Sequence, residues 1–180
     1  MKITQTDFSD LLVIEPKQFT DERGIFFESY VQKKYSNQVS PEIFVQDNCS
    51  VSKKNVLRGM HFQAPPFAQA KLVYVLNGSA LDIVVDLRKS SPTYGKNFSI
   101  ELSDKNKKQL FIPRGFAHGF CALEPNTIFS YKCDNYYHQE SERTLLWNDN
   151  DLNLPWPEKE WLISDKDHEG ISFSNFVSPF

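Results

Sequence analysis

The chain has 180 residues, 40% of them hydrophobic, 14% aromatic and 24% charged, with a formal net charge of −3 and a pI near 5.8. That composition excludes a disordered chain. The absence of any basic block argues against a nucleic-acid surface, and no apolar run reaches the roughly 18 residues of a membrane span. The length suits one domain over residues 1–180, with a core large enough to hold a cavity.

The opening residues MKITQTDFSDLLVIEP carry neither the apolar middle nor the small-residue cleavage site of a secretory leader, so residence in the cytoplasm is expected. Cys49, Cys121 and Cys133 agree with this. They are odd in number, widely spaced and without a CxxC pattern, and so read as free thiols.

Short runs with period-two alternation or β-branched and aromatic enrichment begin with LLVI (11–14), GIFFESY (24–30), EIFVQDN (42–48) and NVLRGMHF (55–62). They continue with KLVYVL (71–76), ALDIVVDL (80–87), FSIEL (98–102), QLFIP (109–113), GFCAL (119–123) and TIFSYK (127–132). Helical character is confined to Val31–Val39 and the tail after Ser164. Gly, Pro, Asn and Asp mark nearly every junction. Many short strands without intervening helices predict an all-β jelly-roll barrel with short flanking helices. The segment WNDNDLNLPWPEKEW (147–161) has no period and is rich in Pro and aromatic residues. It is expected to cross the barrel surface as an irregular C-terminal segment.

Asn77-Gly78 between two strand runs predicts a two-residue hairpin, because both central positions of a type I′ turn need positive φ. With Leu76 opposite Ser79, Val73 faces Asp82 and Lys71 faces Val84. Lys71 and Asp82 then share an inward face with Val73, Val75, Ala80 and Val84. In the preceding run, strict alternation sets Arg58 and His61 on opposite faces. A glycine within a strand often marks a bulge, and one extra residue at Gly59 would bring both to the same side.

The stretch NVLRGMHFQAPPFAQAK (55–71) thus places Arg58, His61 and Lys71 on rigid structure, as a pocket would need. Of the four histidines, His61 and His118 sit beside strands, whereas His138 and His168 lie in polar segments. IPRGFAHGF (112–120) has the P-x-G-x-x-H shape of one half of a cupin metal site. The other half needs two histidines one residue apart, and His61-Phe62-Gln63 supplies only one. The expectation is an empty cavity whose histidines act as acid–base groups.

The motifs FTDERGIFFESY (19–30), FVQDN (44–48), NVLRGMHFQ (55–63), AQAKLV (68–73) and DIVVDLR (82–88) carry a resemblance to a known family. So do SPTYG (91–95), QLFIPRGFAHGF (109–120), YKCDNYY (131–137), WNDNDLNLPWP (147–157) and LISDKD (162–167). From end to end the chain resembles the dTDP-4-dehydrorhamnose 3,5-epimerases, cupin-like jelly rolls without a metal or cofactor. The resemblance implies inversion at C3 and C5 of dTDP-4-dehydro-6-deoxyglucose, by proton abstraction beside the C4 ketone and reprotonation from the opposite face. A single-carbon (C3 or C5) epimerase or a keto-isomerase on a related nucleotide sugar is the alternative.

The family pattern makes His61 the base, oriented by Asp167, with Asp165 as the other candidate. In the same pattern Lys71 stabilises the enolate oxygen and Tyr131 is the acid; the hairpin register sets Asp82 to hold the Lys71 ammonium, and His118 is expected as a second donor to the sugar. A fixed cation beside such an oxygen in a dry cavity supplies roughly 2.7–4 kcal/mol, by analogy with lost oxyanion donors. The pattern also assigns Arg23, Glu28, Gln46, Asn48, Arg58 and Tyr137 to the dTDP portion, with Arg58 on phosphate and Tyr137 near thymine. It implies a homodimer with exchanged N-terminal strands, so that Arg23 and Glu28 serve the neighbour's pocket. Departures fall at Cys49, where the family has histidine, at Ala70 in place of glycine, and at Tyr74 in place of arginine or a small polar residue.

Overall fold

The computed structural model describes residues 1–180. The chain begins with β1 (Lys2–Gln5), β2 (Leu12–Glu15), β3 (Gln18–Asp21), β4 (Gly24–Phe27) and helix α1 (Gln32–Gln38). It continues through β5 (Gln46–Ser52), β6 (Leu57–Gln63), β7 (Lys71–Asn77), β8 (Ser79–Asp86) and β9 (Asn97–Ser103). It then runs through β10 (Gln109–Ile112), β11 (Phe116–Ala122), β12 (Thr127–Cys133), β13 (Glu142–Thr144) and helix α2 (Asp165–His168). Each strand run expected from the sequence is present at least in part, although of EIFVQDN (42–48) only Gln46–Asn48 is strand, at the start of β5. The strands β1, β3 and β13 are additional, because their short and mostly polar sequences KITQ, QFTD and ERT offer no apolar alternation to detect.

All strand pairs are antiparallel and form a six-stranded sheet, β1-β2-β10-β7-β12-β5, and a five-stranded sheet, β13-β6-β11-β8-β9. The two sheets face one another in the expected jelly roll, while β3 and β4 form a separate two-stranded hairpin. Alternation decides what enters the space between the sheets. Val73 and Val75 of β7, Ala80 and Val84 of β8, Phe116 and Phe120 of β11, and Phe129 of β12 belong to one inner core. Phe120 and Phe129 stack across the gap at 3.9 Å between ring centroids.

The outer faces are also covered. Leu12, Ile14, Leu72 and Phe111 of the six-stranded sheet pack with Tyr35 of α1. Met60, Phe62, Ile83 and Val85 of the five-stranded sheet lie under Leu152, Leu154, Trp156 and the late aromatics Phe173, Phe176 and Phe180. The irregular C-terminal segment therefore lies across the barrel, as its composition predicts. Trp156 Nε1–H donates to the Trp147 carbonyl at 2.7 Å within that segment.

One local expectation fails. β7 and β8 do not pair, since β7 lies between β10 and β12 whereas β8 lies between β11 and β9. Val73 is opposite Leu110 and Tyr131, and Asp82 is opposite Phe120 and Ile100. Asn77-Gly78 is a corner at which the chain leaves one sheet for the other. Only Gly78 has positive φ, at 78°, so the type I′ condition on both residues is unmet. The Asn77 amide donates to the Asn126 carbonyl at 3.0 Å, and the Gly78 amide donates to Asp104 at 2.9 Å. Val73, Val75, Ala80 and Val84 face inward all the same, because residues at even spacing keep their side whichever sheet they join.

The bulge at Gly59 is present. His118 is opposite His61, but Phe120 is opposite Arg58, so β6 uses three steps where β11 uses two. Gly59 has φ of 145°, and a Cβ there would meet Gly119 Cα at 2.6 Å. Backbone conformation and close approach both require glycine. The extra residue turns Arg58 to the same cavity as His61.

Candidate active site

Between the sheets lies a cavity of about 340 Å³ lined by Arg58, His61, Lys71, His118, Tyr131 and Asp167, among others. A narrower recess beside it is lined by Gln46, Asn48 and Tyr137 and shares His61, Lys71 and Tyr131. The two walls come from different sheets. β6 brings Arg58 and His61, and β11 brings His118, from the five-stranded side; β7 brings Lys71 and β12 brings Tyr131 from the six-stranded side.

On the first wall each histidine has a carboxylate. His61 Nε2 lies 2.6 Å from Asp167 Oδ1, and the Gly59 amide donates to Asp167 Oδ2 at 3.3 Å. With a carboxylate as acceptor, Nε2 carries the hydrogen and Nδ1 is left as the basic atom. Asp167 is only 2% exposed and sits in the single turn of α2, where its amide donates to the Ser164 hydroxyl at 3.3 Å. Burial pushes its carboxyl up, but the hydrogen bond and charge of His61, the Gly59 amide and Lys166 bring it below the ordinary carboxylate range. Asp165 begins the same turn and is exposed, so Asp167 is the partner of His61.

His118 Nε2 lies 2.7 Å from Asp82 Oδ2. This corrects the expected partnership of Asp82. The hairpin register gave it to Lys71, but the two strands belong to different sheets, and the carboxylate reaches the histidine on the adjacent β11. Asp82 is fully buried behind His118, and burial raises its carboxyl against the opposing charges of His118 and Lys71. Its Oδ1 has no hydrogen-bond partner.

The second wall is differently made. Burial pulls the Lys71 ammonium below the ordinary lysine range, against the charges of Cys133, Glu142 and Asp82. Burial raises the Tyr131 phenol, aided by Cys133 and opposed by Arg58. No hydrogen bond from the protein acts on either group; strand register alone aims them.

Gln46 Nε2 donates to Asn48 Oδ1 at 3.1 Å, and the Tyr137 amide donates to Gln46 Oε1 at 2.9 Å, so these three residues form one polar edge of the recess. Arg58 keeps its guanidinium exposed, tethered only by a 3.4 Å contact from Nε to the Ser52 hydroxyl. Arg23 and Glu28 stand outside this cavity: Arg23 pairs with Asp21 at the tip of the β3–β4 hairpin, and Glu28 pairs with Lys34.

Glu142 of β13 and Lys166 of α2 also line the cavity, and no sequence pattern pointed to them. QESERT reads as a polar loop, and a strand of three residues offers no alternation to detect. None of the three departures lines the cavity or its recess. Cys49 faces outward with Sγ 3.5 Å from the Ser130 hydroxyl, and Tyr74 lies opposite Ser130 and Gln109. Ala70 is buried, with its amide donating to Asp134 at 2.6 Å.

Residues 5–175 match the family model for dTDP-4-dehydrorhamnose 3,5-epimerase. The dTDP-4-dehydrorhamnose 3,5-epimerase of Shigella flexneri is 49% identical over 174 residues, covering 96% of each chain. A crystal structure of the Elizabethkingia anophelis NUHP1 enzyme of that name superposes with a TM-score of 0.91 at 47% identity, covering 97% of both chains. That of dTDP-6-deoxy-D-glucose-3,5-epimerase from Legionella pneumophila Philadelphia 1, in complex with dTDP-4-keto-L-rhamnose, gives 0.94 at 43% identity, covering 98% of this chain and 94% of that one. Matched along nearly its whole length in both sequence and fold, the chain belongs to the dTDP-4-dehydrorhamnose 3,5-epimerase family.

Proposed function

We propose that the protein is an isomerase that inverts C3 and C5 of dTDP-4-dehydro-6-deoxyglucose to give dTDP-4-dehydro-rhamnose. One observation carries the reading: the His61–Asp167 pair and Tyr131 lie on opposite walls of one cavity, with Lys71 beside Tyr131 on the second wall. Inversion beside a ketone needs a base on one face of the ring and an acid on the other. His61 Nδ1 takes the proton next to the C4 ketone, and Asp167 stabilises the imidazolium that results. The C4 oxygen becomes an enolate, which the Lys71 ammonium stabilises, while His118, its Nε2 engaged by Asp82, lines the cavity beside the sugar. Tyr131, protonated at neutral pH, returns a proton from the far side. Loss of the proton from the His61 imidazolium to solvent and return of one to the Tyr131 phenolate reset both groups, and repetition at the second carbon flanking the same ketone gives the double inversion.

Arg58 suits a diphosphate oxygen, and the Gln46–Asn48–Tyr137 edge suits the nucleoside. Arg23 and Glu28 complete a neighbour's pocket in a homodimer with exchanged N-terminal strands. The β3–β4 hairpin supports this, since Phe19, Ile25 and Phe26 are 50%, 54% and 67% exposed around Arg23. A monomer by analytical ultracentrifugation would overturn that part. The whole chain acts as one cupin-like domain, and its three free cysteines suit the reducing cytoplasm. No helix is long and apolar enough to cross a membrane.

The test is to incubate the substrate with the protein in deuterated water. Exchange at both C3 and C5, with inverted product, is expected. Exchange at one carbon alone would replace this reading with a single-carbon epimerase, and none at all would remove the enzymatic reading.

A further inference from the structure

Glu142 faces the reactive groups yet takes no part in the proton transfers. It lines both the main cavity and the recess beside it. Its Oε2 accepts a hydrogen bond from the Tyr137 hydroxyl at 2.9 Å and pairs with Lys166 Nζ at 2.5 Å. Burial pushes the carboxyl up, but Lys166, Tyr137 and His61 bring it below the ordinary range, and its charge in turn reaches Lys71 and Tyr131. An anion in a cavity proposed to take a diphosphate opposes binding unless it is matched. Lys166 supplies the match and is the residue immediately before Asp167.

Helix α2 has four residues, too few to hold its own geometry. What fixes it is its attachments: the Ser164 cap, the bonds of Asp167 to His61 and Gly59, and the Lys166–Glu142 pair. The other contact of Glu142 is Tyr137, whose amide is held by Gln46 at the nucleoside edge. A continuous line therefore runs from Gln46 through Tyr137, Glu142 and Lys166 to Asp167 and His61. We propose that Glu142 is a positioning residue that fastens the helix carrying Asp167 to the nucleoside end of the cavity, so that the orientation of His61 depends on Tyr137. The inference rests on the epimerase reading above.

The experiment is a double-mutant cycle on the full chain, read by turnover and by solvent-deuterium incorporation. Glu142→Gln should lower kcat by about 10- to 100-fold, as removal of an orienting partner does, with KM within about threefold of the wild type. Placed in an Asp167→Asn background, the same change should cost no more than about twofold, because the residue it acts through is already disabled. Effects that multiply fully in that background, or a loss confined to KM, overturn the proposal and leave Glu142 as a binding group. If Glu142→Gln does not fold by circular dichroism, Lys166→Met decides by the same cycle, its side chain being 51% exposed. Wild-type exchange with an unimpaired Glu142→Gln variant refutes this inference alone, whereas no exchange by the wild type refutes the epimerase reading beneath it.

Discussion

The two walls of the cavity solve the same problem of aim in different ways. On the five-stranded wall His61 and His118 are each tied to a buried carboxylate, Asp167 and Asp82. On the six-stranded wall Lys71 and Tyr131 have no partner and are aimed by β7 and β12, which pair along their length. A wall built on hydrogen bonds can be disabled through the carboxylate that holds a reactive side chain, with that side chain itself left in place. A wall built on register fails only when the reactive residue or the strand itself changes. The difference also suits the chemistry. A base must hold one tautomer, whereas a cation and a phenol need only a position and a state of ionisation.

The sharpest test of the comparison is His61→Asn, expected to lower turnover by about a thousandfold or more while the fold, by circular dichroism, stays intact. An active variant would move the base to another residue. Next in size, Lys71→Met should cost roughly 10²–10³ in kcat, the scale of a lost oxyanion donor. The same residue sets a pH dependence. Burial makes the ammonium lose its proton below the ordinary lysine range, whereas the raised Tyr131 keeps its own beyond the ordinary tyrosine value. The alkaline limb of kcat/KM should therefore lie below the lysine range and vanish in Lys71→Met. A limb that survives in this variant belongs to another group.

Tyr131→Phe separates the walls most directly, with inversion expected to fall by about a hundredfold. The base wall is untouched in this variant, so deuterium should still wash into recovered substrate with unchanged configuration. Loss of exchange along with inversion would show that the two walls do not act independently. Smallest is Gly59→Ala, whose Cβ would meet Gly119 Cα at 2.6 Å and whose φ of 145° disfavours any side chain. A loss of about 1–3 kcal/mol in chemical denaturation is expected. No change would mean that β6 does not need this bulge to bring Arg58 beside His61.

The same division explains what the sequence makes legible. On the second wall Lys71 could be read from alternation, because Lys71, Val73 and Val75 declare one face of a strand whatever that strand pairs with, whereas Tyr131 came from the family pattern. On the first wall Gly59 announced its bulge, but the partners of the histidines were not local. Asp82 was assigned to the wrong cation because Asn77-Gly78 looks the same whether it closes a hairpin or turns a corner between sheets. Asp167 and Glu142 sit in segments whose composition reads as solvated loop. The family pattern identified the first of them, and only the fold reveals the second. Pairings between distant segments leave no periodic trace in a sequence.

The C-terminal covering of the five-stranded sheet bears on how the enzyme comes into being. His61 and Asp167 are 106 positions apart, and the outer face behind β6 is closed by Phe176 and Phe180. A nascent chain that has already delivered Lys71 and Tyr131 still lacks Asp167, the carboxylate bonded to His61. Such non-local assembly is slow relative to folding from neighbouring segments. Activity should thus wait on the synthesis of α2, and a chain cut before α2 would retain strands of both sheets without the His61–Asp167 pair.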